Sequence, residues 1–72
     1  MGKMNVLDEH GDTVHTWASS EEAQVVAGVF AQLRARGYLA ARMLSGGERG
    51  EVITEFDPMA ESIMLMPPLR GG

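Results

Sequence analysis

The 72-residue chain has no cysteine, which excludes a disulfide framework, a thiol nucleophile of its own and a cysteine-ligated metal site. It has no apolar run that approaches the roughly 18 residues of a membrane helix, and no signal-peptide pattern opens the sequence. Basic residues are few, and the formal net charge of −4 argues against nucleic acid as a general partner. We therefore expect a small acidic monomer of the cytoplasm that binds neither nucleic acid nor membrane and needs no cofactor.

The length predicts a single domain with an economical core. A chain of 72 residues is expected to bury only about 60% of the surface that its unfolded form exposes. The periodic part of the sequence ends at a pair of prolines. We therefore expect one domain over residues 1–68 and a flexible C-terminal tail over residues 69–72.

The clearest secondary-structure signal is a helix over residues 20–36. Ser19 followed by Glu22 has the spacing of a capping box, and acidic residues favour the positive end of a helix. Gly37 is the residue type expected just beyond the helix end. The apolar side chains that share one face at 3.6-residue spacing are Ala23, Val26, Ala27, Phe30 and Leu33. This stripe predicts that one face of the helix packs on a core.

Five short stretches have the composition of strands. They cover residues 4–7, 13–17, 38–44, 51–56 and 63–66. The order along the chain is two strands, a helix, two strands, a turn and a last strand. Because this order is not a run of βαβ units, it predicts an α+β fold with a mixed sheet and one helix on one face.

Side-chain patterns predict which strand residues are buried. Trp17 is expected to cap the core where the second strand meets the helix. The uncharged run over residues 63–66 indicates a central strand that is covered on both faces. The methionines expected to fill the core near this strand are Met59, Met64 and Met66. In residues 51–56 the alternation gives one face of Val52, Thr54 and Phe56 and an opposite face of Glu51, Ile53 and Glu55.

The C-terminal residues carry the most specific functional signal. Pro67-Pro68 cannot continue a sheet ladder and favours an extended chain that projects from the domain. Gly71-Gly72 then has no side chains, so it can enter a narrow enzyme groove. The stretch Leu69-Arg70-Gly71-Gly72 resembles the tail of ubiquitin, and a terminal diglycine is shared by the small sulfur carriers of the β-grasp fold. The element order is also that of this fold, whose last strand is central and parallel to the first.

The resemblance implies a ubiquitin-like protein modifier or sulfur carrier. A partner adenylating enzyme would activate the carboxylate of Gly72, and target proteins are the further partners implied. Leu69, Arg70 and Gly71 would be recognised by that enzyme, with Arg70 suited to a bidentate carboxylate contact. The thioester-forming cysteine and the ATP would belong to the partner. Lys3 is the only lysine, which favours single conjugation or sulfur carriage over polymeric chains.

Other interpretations compete with this one. In the first, the chain is a non-catalytic adaptor or structural protein that binds a partner through a sheet edge or a helix face. The diglycine then arises by chance or was added for expression. Pro67-Pro68 is not the usual stem of the ubiquitin tail, which keeps this interpretation open. In the second, the chain is an enzyme. No nucleophile–base–orienter set accompanies His10 and His15, so we expect no catalytic activity. The acidic first hairpin also lacks a compact metal motif.

Overall fold

Five strands and one helix make up the regular structure of the part of the chain that the computed structural model describes. It describes residues 1–8, 11–44, 46 and 48–68, except for the side chain of Arg49. The predicted tail, residues 69–72, therefore lies outside the described residues. The elements are β1 (Gly2–Val6), β2 (Thr13–Trp17), α1 (Ser20–Ala35), β3 (Leu39–Met43), β4 (Arg49–Ile53) and β5 (Ser62–Met66).

The strands form one mixed sheet in the order β2-β1-β5-β3-β4. β5 lies at the centre and runs parallel to β1, with Met4 opposite Ile63, while the other neighbouring strands are antiparallel. The helix packs on one face of this sheet. The predicted α+β architecture, a mixed sheet with one helix, is confirmed, and so is the central position of the last strand.

Local side-chain signals fix both ends of the helix. The Glu22 N–H donates to Oγ of Ser19 over 3.2 Å, and the Glu22 carboxylate accepts the Ala18 N–H over 2.9 Å. The first bond satisfies a donor that an uncapped helix leaves open, and the second fixes the residue that precedes the cap. At the other end Gly37 has φ of +93° and donates its N–H to the carbonyl of Arg34. The predicted N-cap and the predicted glycine stop are confirmed, but the Glu22 carboxylate accepts the N–H of Ala18 and not that of Ser19, which a capping box would use.

The cap gives a direct test of the start of the helix. We expect Ser19→Ala to lower the free energy of unfolding by about 1 kcal/mol, because it removes the acceptor for the Glu22 N–H. The control is Ser20→Ala, at the exposed first helical residue, with an expected change within about 0.5 kcal/mol. Urea unfolding followed by far-UV circular dichroism measures both variants. Equal losses in the two variants would contradict the capping role.

The core is a single apolar layer between α1 and the sheet. Phe30 of the helix lies over this layer, and Met4, Ile63 and Leu65 are completely buried beneath it. Trp17 closes one end of the layer, with 3% of its surface exposed, and its indole N–H donates to the carbonyl of Pro58 over 3.0 Å. The predicted role of Trp17 as a cap on the core is therefore confirmed.

An aromatic row ties the segment before β5 to the core. The ring centroids of Trp17 and Phe56 are 4.9 Å apart, and those of Phe56 and Phe30 are 5.8 Å apart, both in edge-to-face geometry. Such pairs contribute about 0.5–1.5 kcal/mol beyond the area that they bury. Phe56 thus reaches the core from a connecting segment and not from a strand.

The position of Phe56 corrects the prediction for β4. The strand covers 49–53, not 51–56, and its register with β3 shifts between Ala41 and Met43. Ile53 lies opposite the buried Ala40 and packs on the core, whereas Val52 is 52% exposed. The predicted separation of Ile53 from Phe56 was wrong, because the period of two stops at Ile53 and a bend then carries Phe56 to the same side.

The predicted coverage of β5 also needs correction. One helix can cover only one face of the sheet, so Ile63 and Leu65 are buried against it while Met64 and Met66 are only half-buried on the other face. Met59 is 87% exposed, so it does not fill the core. The absence of charge in β5 reflects its central position in the sheet, not coverage on both faces.

Candidate functional site

The chain leaves the domain from the centre of the sheet. β5 ends at Met66, and Pro67 and Pro68 follow as exposed residues outside the ladder. Pro68 passes close to the end of the helix, since a side chain placed on Gly37 would begin 3.6 Å from its Cβ. The predicted site residues lie beyond this point and outside the described residues, namely Leu69, Arg70, Gly71 and Gly72. Their roles remain predictions.

Two arginines lie at the end of the helix, close to this exit. Arg34 lies in the last turn of the helix and donates from its guanidinium to the carbonyl of Tyr38 over 2.6 Å. That bond holds the start of the segment that leads into β3. Arg36, the C-cap residue, is exposed. Two cationic side chains therefore accompany the negative end of the helix dipole near the point where Pro68 leaves.

The face of the sheet opposite the helix is largely apolar, and we call it the open face. Directly opposed residues of neighbouring strands point to the same face, and Ala41 pairs with both Met64 and Val52, while Leu39 pairs with Met66. Leu39 is 40% exposed and Val52 is 52% exposed. The apolar residues of the open face are Val14, Leu39, Ala41, Met43, Val52, Met64 and Met66, of which Ala41 is completely buried. Methionine side chains adapt to differently shaped partners, so this face suits contact with another protein.

Asn5 adds a polar group to the open face. It lies on β1 between Val14 of β2 and Met64 of β5. Its side-chain oxygen is buried, and no donor among the described residues reaches it. An unpaired buried acceptor is costly.

The clearest ion pairs of the domain are structural. Arg42 on β3 bonds to Glu51 on β4 over 2.8 Å and to Asp57 over 3.2 Å. Asp57 also accepts the N–H of Met59 over 2.9 Å. Because these side chains are partly exposed, each pair contributes little to stability. Their effect is to orient the segment that carries Phe56 and Pro58 towards Trp17.

The described residues bring together no set of groups that points to metal chemistry. Within 1–8, 11–44, 46 and 48–68, no three His, Cys, Asp or Glu side chains converge as metal ligands would. Glu9 and His10 lie outside these ranges. Among the described residues, no helix is both long enough and apolar enough to cross a membrane.

The open face is the feature that sequence reasoning missed. The signal was present, because Leu39, Ala41 and Met43 alternate with Ala40 and Arg42 along one strand. A single predicted helix cannot cover both faces of a five-stranded sheet, so one set of alternating apolar residues must face outwards. The prediction of a central strand covered on both faces hid this consequence.

Comparison with protein-family models, with curated proteins and with solved structures finds no match to this chain in any of the three.

Proposed function

We propose that this protein is a ubiquitin-like β-grasp modifier or sulfur carrier that is activated at the carboxylate of Gly72. The observation that carries the proposal is the strand order β2-β1-β5-β3-β4, with the last strand central and parallel to the first. This order makes the end of β5 the root of the tail, which then continues through Pro67-Pro68. In this proposal the fold and the Leu69-Arg70-Gly71-Gly72 sequence act as one functional unit.

The proposed chemistry is acyl activation by a partner. The Gly72 carboxylate attacks the α-phosphorus of ATP, pyrophosphate leaves, and a glycyl adenylate forms. A thiol or sulfide of the partner then attacks the carbonyl carbon and displaces AMP, giving a thioester or a thiocarboxylate. This chain has no cysteine, so the sulfur must come from elsewhere. Gly71 and Gly72 leave the approach to the carbonyl free of side chains.

The remaining tail residues have recognition roles in this proposal. The planar guanidinium of Arg70 forms a bidentate pair, with two parallel hydrogen bonds, to a carboxylate of the activating enzyme. Leu69 supplies an apolar contact next to the exit. Leu39 and Met66 of the open face lie beside the end of β5, so an enzyme that holds the tail can also rest on this face.

A single experiment tests the proposal. The full chain is incubated with ATP and a lysate of its own source, and its mass is measured beside a variant that lacks Gly72. We expect the full chain to gain a covalent adduct, or the mass of one sulfur in place of one oxygen, and the Gly72-deleted variant to gain neither. A variant extended by one residue after Gly72 is the matched control, because it keeps the diglycine but moves the carboxylate. Identical behaviour of all three chains would overturn the proposal.

The second candidate is a non-catalytic adaptor, which the exposed apolar open face favours. In this case the partner binds the domain, and the tail plays no part. Affinity capture separates the two candidates. An adaptor would keep its partner when Gly72 is deleted and lose it on Met64→Lys, which places a charge in the middle of the open face. A carrier would fail to be activated in the deletion variant.

A further inference from the structure

β2 is an edge strand whose free side is open to another strand. β2 is the outermost strand on one side of the sheet, and among the described residues β1 is the one strand that pairs with it. We propose that β2 pairs with β2 of a second copy of this chain, in an antiparallel arrangement around a two-fold axis at His15. The two sheets then join into one continuous sheet. The inference concerns the domain alone and stands whether or not the tail is activated.

The hydrogen bonds of β1 show which peptide groups of β2 are free. The N–H of Lys3 donates to Glu61 over 3.1 Å, and that of Leu7 donates to Leu65 over 2.9 Å. Peptide groups alternate in direction along a strand, so the N–H and C=O groups of Lys3, Asn5 and Leu7 point towards β5. Those of Gly2, Met4 and Val6 point towards β2. The residues of β2 that bond to β1 are therefore Thr13, His15 and Trp17. The N–H and C=O of Val14 and Thr16 point away from the sheet.

The free side of β2 lacks the devices that usually protect a sheet edge. Such edges are protected by proline, lysine, inward-pointing charges or bulges. The sequence Thr13–Trp17 contains no proline, no glycine and no fixed charge, and Val14 is 56% exposed. Its β-branched and aromatic composition favours an extended chain. β2 is thus competent to pair with a further strand.

The opposite edge of the sheet is protected. β4 contains Arg49, Gly50 and Glu51, and its register with β3 shifts between Ala41 and Met43. An irregular register and charged residues disfavour pairing of a further strand. Because only one edge of the sheet is open, pairing through β2 closes at a dimer and does not propagate into a fibre.

A second copy of β2 provides hydrogen-bond partners for the free N–H and C=O groups of this edge. With His15 on the two-fold axis, Val14 of each chain lies opposite Thr16 of the other, and each pair exchanges N–H and C=O bonds in both directions. No fixed charge of β2 faces another in this register. Directly opposed residues share a face, so both helices lie on one side of the joined sheet. The two open faces then form one continuous surface on the other side.

The dimer is expected to be weak. A five-residue edge buries far less than the roughly 1,200 Å² of a stable interface. Asp12 precedes β2, and Glu21 and Glu22 follow it in the first turn of the helix. Each copy also carries a formal charge of −4. Added salt screens this repulsion, so the association should strengthen as ionic strength rises, until screening is complete.

Sedimentation equilibrium of the full chain at several concentrations and salt levels tests the proposal. We expect a concentration-dependent dimer that is lost in Val14→Pro, because proline removes an outward N–H from each copy and its ring blocks the incoming strand. The bonds to β1 do not use this N–H, so circular dichroism should show a folded variant. Val14→Thr is the matched control and should dimerise as the wild type does. A wild type that stays monomeric at millimolar concentration would overturn the proposal, as would a dimer that survives Val14→Pro.

The absence of cysteine allows the register to be tested separately. His15→Cys places two thiols opposite each other at the axis, where Cα atoms about 4.5 Å apart lie within disulfide range. Thr13→Cys is the control, since its two copies lie far apart in this register. Under mild oxidation His15→Cys should cross-link at least roughly tenfold faster than Thr13→Cys. Equal rates would rule out the proposed register.

Discussion

Replacement of Leu65 by alanine should lower the free energy of unfolding by about 2–5 kcal/mol. Leu65 is completely buried at the centre of the sheet, opposite Val6 on one side and Ala40 on the other. The loss has two parts, namely the transfer free energy of the removed methyl groups and the cost of the cavity that remains. Ala40 is too small to fill that cavity, so we expect a value in the upper half of the range.

This loss is large for a domain of this size. At roughly 0.05–0.15 kcal/mol per residue, a chain of 72 residues has a total stability of about 4–11 kcal/mol. The matched control is Met66→Ala on the same strand, where the side chain is half-buried on the open face and the expected loss is below about 1.5 kcal/mol. Urea midpoints of both variants measure the difference. If Met66→Ala cost as much as Leu65→Ala, the assignment of the two faces of β5 would be wrong.

Addition of a single methyl group at Gly2 should destabilise the domain by about 1–3 kcal/mol or more. A Cβ at this position would lie 2.4 Å from Cζ2 of Trp17 and 2.5 Å from the carbonyl oxygen of Ala60. The indole cannot move aside easily, because it is packed against Phe56 and bonded to Pro58. Either β1 or the segment before β5 must therefore shift.

The same substitution at Gly28 should have the opposite sign. Gly28 lies within the helix, and a Cβ added there would meet nothing within 4 Å. Alanine is favoured over glycine inside a helix by about 0.5–1 kcal/mol, so Gly28→Ala should raise the unfolding temperature while Gly2→Ala lowers it. Differential scanning calorimetry compares the two. A Gly2→Ala protein as stable as the wild type would mean that Trp17 does not pack on Gly2 as described.

The elements with strong local signals were predictable from the sequence. The helix begins at a capping pair, follows a 3.6-residue stripe and stops at Gly37, and each signal depends on residues close together in the chain. Trp17 was predictable for a similar reason, since it is the largest apolar side chain at a strand–helix junction. The parallel pairing of β1 with β5 came from the order of elements and the resemblance, and not from a local pattern.

The faces of β4 and β5 were less predictable, because they depend on where each strand ends and on what covers the sheet. A register shift between Ala41 and Met43 and a bend after Ile53 interrupt the period of two, and neither leaves a clear mark in the sequence. Burial of Met64 depends on the number of helices, which is a property of the whole fold. The tail was predicted from four residues alone, and its roles await the test on Gly72.

The central position of β5 has a consequence for synthesis. β1 emerges from the ribosome early, but one of its two partners in the sheet is the strand made last. β3 likewise has β5 on one side, so the nascent chain lacks the middle of its sheet until Met66 is free of the exit tunnel. Pairing between such distant segments is slow relative to local contacts. A chain that lacks β5 has an open gap between β1 and β3, and the apolar residues that β5 covers stay exposed.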